Sequence, residues 1–180
     1  MHSMNLPKIF SKKSPNQIWV SDITYIKVGQ KWYYLCVIID LFSRKVVSWK
    51  ISDKPDAELV ISTFKKAYAD RNFPVGLMFH SDRGSQYTSA TFRKLLNQLS
   101  VVQSFSGKGY VAESFFKFLK LEEINQNTYS SFADLKSSLF EYIEGFYNSK
   151  RPHSTNNFLS PNDFESAYFK KKFLILCPLS

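Results

Sequence analysis

Three acidic residues, each in its own local setting, carry most of the information in this chain: Asp22 in WVSDITYI, Asp82 in MFHSDRGSQY and Glu113 in VAESFFKFLK. Asp22 lies inside an apolar run of β-forming residues. Asp82 closes a short apolar run just ahead of a glycine turn, and Glu113 opens a segment of helical period. An unpaired carboxylate in an apolar strand costs several kcal/mol to bury, so Asp22 asks for a partner, and a metal ion is the natural one. Carboxylates far apart in sequence but carried on a strand, a strand end and a helix start can converge to hold two divalent cations, the arrangement used for phosphoryl transfer on nucleic acids. Hard oxygen ligands suit Mg or Mn, and no Cys/His spacing suggests zinc.

The elements that must position these groups are legible from period and punctuation. Three β-type runs at 18–28, 32–40 and 45–51 follow closely, joined by VGQK with Gly29 and by a polar turn around Ser43 and Arg44, as in an antiparallel meander. A helix follows, capped by Ser52 or Asp56, with Ala57, Val60, Ile61, Phe64 and Ala67 or Tyr68 at helical spacing. Residues 75–80 read as a short strand, 89–99 as a helix, 101–105 as a strand, 112–124 as a helix and 131–147 as a last long helix. Three antiparallel strands and then strands alternating with helices give a mixed five-stranded sheet flanked by helices, an α/β fold.

A chain of 180 residues with 44% hydrophobic and 17% aromatic content can bury one substantial core and is not a disordered segment. The formal charge of +9 favours a polyanionic partner, nucleic acid first. Cys36 and Cys177 make no disulfide framework, and Cys36, inside WYYLCVIID, reads as a buried small hydrophobe. The longest apolar runs are well short of the roughly 18 residues of a membrane span, and nothing reads as a signal peptide, so a cytoplasmic location is expected. Residues 1–15 read as a basic linker or arm whose opening MHSM looks added rather than native. A core is expected over 16–168, with a basic and apolar tail at 169–180.

Five ordered motifs together carry a resemblance: WVSDITYI, YLCVIIDLFSRKVVSW, FHSDRGSQY, AESFFKFLK and YNSKRPHSTNNFLSPNDF. They resemble the catalytic core of DDE transposases, and more narrowly the OrfB-type transposases of bacterial insertion sequences, relatives of retroviral integrases. The resemblance implies a ribonuclease-H-like fold, with the first strand central, the fourth beside it and the helix after the fifth crossing nearby. It implies metal-dependent DNA cleavage and strand transfer by a polynucleotidyl transferase during transposition and DNA integration. Two Mg or Mn ions would be held by Asp22, which bridges them, and by Asp82 and Glu113. It also implies DNA partners (element ends and target), a homo-oligomer in the active complex and bacterial, nucleoid-associated action. No helix-turn-helix pattern precedes residue 16, so end recognition is expected from a separate or missing segment, and DNA binding by this chain should have little sequence preference. One departure stands out: 30 residues separate Asp82 from Glu113, fewer than the family pattern. The shortfall lies between SGKGY and VAESFF, either as a shortened loop or, the reading we prefer, as loop residues left out with the rest numbered consecutively.

Several further residues have two readings. Asp40, ending VIIDLFSRK, is expected to cap a turn. Glu122 and Glu123 read as a solvated helix face. His80 shares a strand face with Asp82 and is a candidate DNA-contacting group or a structural histidine. Arg83 and Gln86 follow Asp82 in a loop that could reach phosphate. Lys108, Lys117 and Lys120 flank Glu113, the last two on its helix face. Arg151 and His153, in the basic turn YNSKRPHS, are the last DNA-contact candidates. Two other functions remain open at this point: a catalytically silent relic that binds DNA or dimerises, and a ribonuclease-H-like nuclease.

Overall fold

The structure, a computed structural model, describes residues 13–105 and 110–176, the last two residues at 175–176 and the first two at 110–111 by their backbone alone. Five strands form one sheet in the order β3-β2-β1-β4-β5. They are β1 (Ile18–Val28), β2 (Lys31–Asp40), β3 (Val46–Ser52), β4 (Met78–Ser81) and β5 (Val102–Phe105). The first three pair antiparallel, and β1–β4 and β4–β5 pair parallel. Gly29, at φ 57°, turns β1 into β2 through the two residues left between the Val28↔Lys31 pair; a side chain with a Cβ would be strained there. The helices are α1 (Ala57–Asp70), the single turn α2 (Ser85–Thr88), α3 (Ala90–Gln98), α4 (Tyr110–Leu119), α5 (Phe132–Phe140) and α6 (Pro161–Leu176). Widened π-helical turns extend α4 over Lys120–Ile124 and α5 over Glu141–Tyr147.

Alternation along the strands sends side chains to two faces, and each face has its own core. Trp19, Cys36, Ile38 and Phe79 pack against Leu59, Val60, Phe64 and Ala67 of α1 and Phe92 and Leu96 of α3. Ile18, Val20, Leu35, Val37 and Ile39 pack against Phe115, Phe116 and Leu119 of α4 and Leu135, Leu139 and Ile143 beyond it. The result is a helix–sheet–helix sandwich with β1 central. Phe64 is the hub of the first core, fully buried and edge-on or stacked against Trp19, Tyr68, Phe79 and Phe92. Cys36 is a free, buried thiol in that core.

The helix starts have local causes. The Asp56 carboxylate accepts from Leu59 N at 3.0 Å, and Ser89 and Ser131 do the same for the third residue after them, which satisfies amides that have no partner within the helix. The sequence reading places β4 at 75–80, but it starts at Met78: Pro74 and a left-handed Gly76 (φ 73°) hold Val75 out in solvent. A helix at 161–176 is not anticipated by that reading, and α6 crosses the expected core–tail boundary at 168. Its start is nonetheless written in the sequence: Ser160 accepts from Asp163 N and donates to the Asp163 carboxylate, with Pro161 in the first turn, a capping arrangement.

Candidate active site

The parallel pairing of β1 and β4 places two of the acidic residues. Its register is Ile18↔Met78, Trp19↔Phe79 and Val20↔His80, and there it stops. Asp22 and Asp82 each lie two residues past the final pair, at matching positions on neighbouring strands where the two chains part. Strands about 4.8 Å apart that diverge at their carboxyl ends leave a crevice, the usual ligand position in open α/β sheets. Asp22 and Asp82 line one cleft of about 310 Å³ together with Thr24, Tyr25, Gln86 and Tyr87.

Glu113 arrives from the first turn of α4, and the packing of α4 on β1 brings it close enough for its charge to act on Asp22. Burial pushes the Asp22 carboxyl up to about 6; the Ile23 N–H, donating at 2.8 Å, opposes this, and the negative charges of Asp82 and Glu113 add to it. The charges of Asp82 and Glu113 thus both act on Asp22. Among the described residues no group of three His, Cys, Asp or Glu side chains is already arranged to hold one ion. Each aspartate spends an oxygen on a backbone donor, Asp22 on Ile23 N and Asp82 on Gly84 N at 2.9 Å, whereas turning toward each other would bring like charges together in a partly desolvated cleft.

The groove wall is fixed by neutral polar contacts. Ser21 is buried, donates to Val37 O at 2.8 Å and lies 2.9 Å from the Tyr87 hydroxyl. The Gln86 amide donates to Pro55 O at 2.7 Å, and Gln103 ties Tyr87 O to β5. Gly84 cannot carry a side chain without disturbance, because a Cβ there would stand 2.9 Å from Gln86 Oε1 and 3.1 Å from Asp82 Oδ1.

The DNA-contact candidates separate into groups. Arg83 and Lys117 are exposed. Lys120 is half-buried, its ammonium 5.3 Å from the Tyr25 ring, and Gln86 borders the carboxylate cleft. His80 is buried and bonded through Nδ1 to Ser104 Oγ at 3.1 Å, a link between β4 and β5. Arg151 is spent on an ion pair with Glu122 (2.8 Å, with further contacts at 3.0 and 3.1 Å) and lies 4.0 Å over the Phe118 ring. His153 packs edge-on against Tyr147, and burial with the charges of Arg151 and Arg44 lowers it to about 4, so the ring is neutral. Both residues line a second cleft, of about 570 Å³, behind α4. Lys108 lies outside the described residues.

Three groups do work the sequence did not announce. Glu122 is exposed and Glu123 half-buried, and both also clamp the α4 extension: Glu122 takes Arg151 and the Tyr142 hydroxyl, and Glu123 takes Tyr129, Asn127 and Ser138. Asp40 does cap its turn, accepting from Phe42 N at 2.8 Å, and it also joins a buried network. In that network Arg71 donates to Glu165 at 2.6 and 2.8 Å and lies 3.5 Å from Asp40, while Asp40 accepts Asn16 N and Glu165 accepts Ser43. The network pins α6 and the chain entering β1 to the sheet end opposite the hairpin. Its clearest sequence signal is Asp40, an acid at the end of the apolar run YLCVIID.

Two family models, both described as integrase core domain, match residues 12–111 and 113–169. The chain is 40% identical over 163 residues to the transposase for insertion sequence element IS904 of Lactococcus lactis, covering 88% of this chain and 64% of that protein. It is 38% identical over 166 residues to transposase InsF for insertion sequence IS3A of Escherichia coli, covering 89% of this chain and 58% of that protein. The chain thus spans less than two thirds of these relatives. Among solved structures it resembles the HTLV-2 integrase catalytic core domain in complex with magnesium, with a TM-score of 0.65 at 20% identity over 85% of this chain and 98% of that one. It likewise resembles the catalytic core domain of BIV integrase, with a TM-score of 0.62 at 17% identity over 88% and 99% of the two chains. The sheet order, the helices on both faces and these neighbours make the fold ribonuclease-H-like. With the two integrase-core models together spanning most of its length, the chain belongs to the integrase core domain family.

Proposed function

We propose that this chain is the catalytic core of an insertion-sequence transposase that cuts DNA and joins strands with the aid of two Mg or Mn ions, held by Asp22, Asp82 and Glu113. The observation that carries the reading is the matched placement of Asp22 and Asp82 where β1 and β4 part, with the Glu113 charge acting on the same point. These residues suit a hard divalent cation: all three offer carboxylate oxygen, and an upward-pushed aspartate beside two like charges is relieved by positive charge. When bound, the ions would supply charge neutralisation at the scissile phosphate and ease deprotonation of the attacking hydroxyl.

The remaining work belongs to the chain. Ser21 and Tyr87 hold β1 against α2 so that Asp22 is presented from a rigid strand. Exposed Arg83 and Lys117, with a +9 chain behind them, attract the phosphate backbone without reading sequence. Recognition of element ends, and assembly into a multimer around them, would come with the additional length found in the relatives.

Nicking of supercoiled plasmid in Mn or Mg by this chain tests the reading. The expected result is divalent-dependent nicking that Asp22→Asn and Asp82→Asn remove without loss of DNA binding. Nicking that persists in EDTA, or in Asp22→Asn, would overturn it.

A further inference from the structure

The β1–β2 hairpin leaves two large aromatic rings in solvent beside the carboxylate cleft. Tyr25 is 59% and Trp32 46% exposed, and their rings meet edge-on at 5.3 Å and 78°. The register pairs Tyr25 with Tyr34 and Lys27 with Trp32, so Tyr25, Lys27, Trp32 and Tyr34 share one face of the hairpin. The Lys27 ammonium lies 5.6 Å from the Trp32 ring centre and Lys120, from the α4 extension, 5.3 Å from that of Tyr25. Tyr25 and Tyr34 also line the cleft that holds Asp22 and Asp82. Past Val20, β1 has no β4 partner, so this stretch is open on the cleft side.

We propose that Tyr25, supported by Trp32, is a stacking platform for one unpaired base of the DNA strand entering the carboxylate cleft, with Lys27 and Lys120 taking the adjoining phosphates. The inference rests on the reading that the cleft acts on DNA and adds to it a positioning residue and a preference for unpaired ends. An exposed ammonium over a ring shifts an equilibrium only about two- to five-fold. A base stacked on a tyrosine or tryptophan is worth about five- to a hundred-fold. A base therefore displaces the lysines from the ring faces, and the freed ammonium groups stand beside its phosphate. Internal bases of a duplex have both faces covered by their neighbours, so only a terminal, frayed or single-stranded base can take the place.

The test is equilibrium binding in EDTA, which needs no cleavage, comparing a 12-nucleotide oligothymidylate with a covalently closed plasmid. Tyr25→Ala is expected to weaken the oligonucleotide about five- to a hundred-fold and the plasmid less than about twofold, with Tyr25→Phe restoring the oligonucleotide. Equal weakening of both substrates, or no weakening of either, overturns the platform. As a measurement on the unaltered protein, a 2-aminopurine at the strand end should be quenched on binding by contact with the rings; a rise in its fluorescence overturns the platform even if Tyr25→Ala fails to fold. Failure of the wider reading is seen separately, as loss of divalent-dependent nicking in the protein that still quenches the end base.

Discussion

Replacing Asp22 by Asn removes a charge that the metal-free fold holds at a cost. The shift of its carboxyl from the ordinary 3.8 to about 6 corresponds to about 3 kcal/mol of disfavoured ionisation. Asp22 remains partly open to water, so we discount this to about 1–2 kcal/mol. The sign follows from proton binding. The folded state holds the proton that the unfolded state has released between about pH 4 and pH 6, so this group's contribution to stability is full below that window and is lost as pH rises through it. Asparagine keeps the acceptor for Ile23 N–H and carries no charge. In EDTA at pH 8, Asp22→Asn should unfold about 3–6 °C above the wild type, and the gap should close toward pH 4. Adding Mg should reverse the order, because ligand at a hundred times its dissociation constant stabilises the native state by about 2.7 kcal/mol and only the wild type keeps the full site. Differential scanning calorimetry across pH, with and without Mg, reads all three. Equal or lower stability of Asp22→Asn at pH 8 in EDTA would refute the electrostatic account of the site.

Other outcomes follow from named contacts. Arg71→Ala strands Asp40 and Glu165, both buried, and should cost about 3–5 kcal/mol in urea unfolding; a cost under about 1 kcal/mol would mean the network is not the anchor of α6. Phe64→Ala empties the hub of the α1-side core and should cost about 3–5 kcal/mol by the same measurement, with thermal unfolding still cooperative. DNA affinity, titrated from low to moderate salt, should fall with a log–log slope of roughly −0.9 per phosphate contact and differ little between element-end and scrambled duplexes; a flat response would remove the charge argument.

Much of this was legible in the sequence because local rules dominate the strands and helices concerned. The long β-branched and aromatic runs became β1, β2 and β3 within a residue or two, and Asp56, Ser89 and Ser131 announced helix starts by their chemistry. The catalytic candidates were legible one at a time, each carboxylate in its own local setting. Their relation was not, because a parallel register such as Val20↔His80 is set by a crossover of more than fifty residues rather than by any local pattern. The same limit hid the partners of Glu122 and Arg71, which come from distant segments. The π-helical turns after α4 and α5 have no composition signal. The start of α6 has one, in SPND, but the residues after it are evenly mixed basic and apolar and carry no helical stripe. The link of 30 residues between Asp82 and Glu113 remains the sequence feature that bears most on activity.

The central claim is that Asp22 and Asp82 hold a divalent ion with Glu113 beside it. Anomalous diffraction from crystals grown in Mn tests it most directly. The account expects Mn in the cleft between β1 and β4, with oxygen ligands from Asp22 and Asp82 at about 2.0–2.2 Å, and no such peak in Asp22→Asn. Nicking activity in the same preparation with no Mn bound to either aspartate, or with Mn held elsewhere, would contradict it.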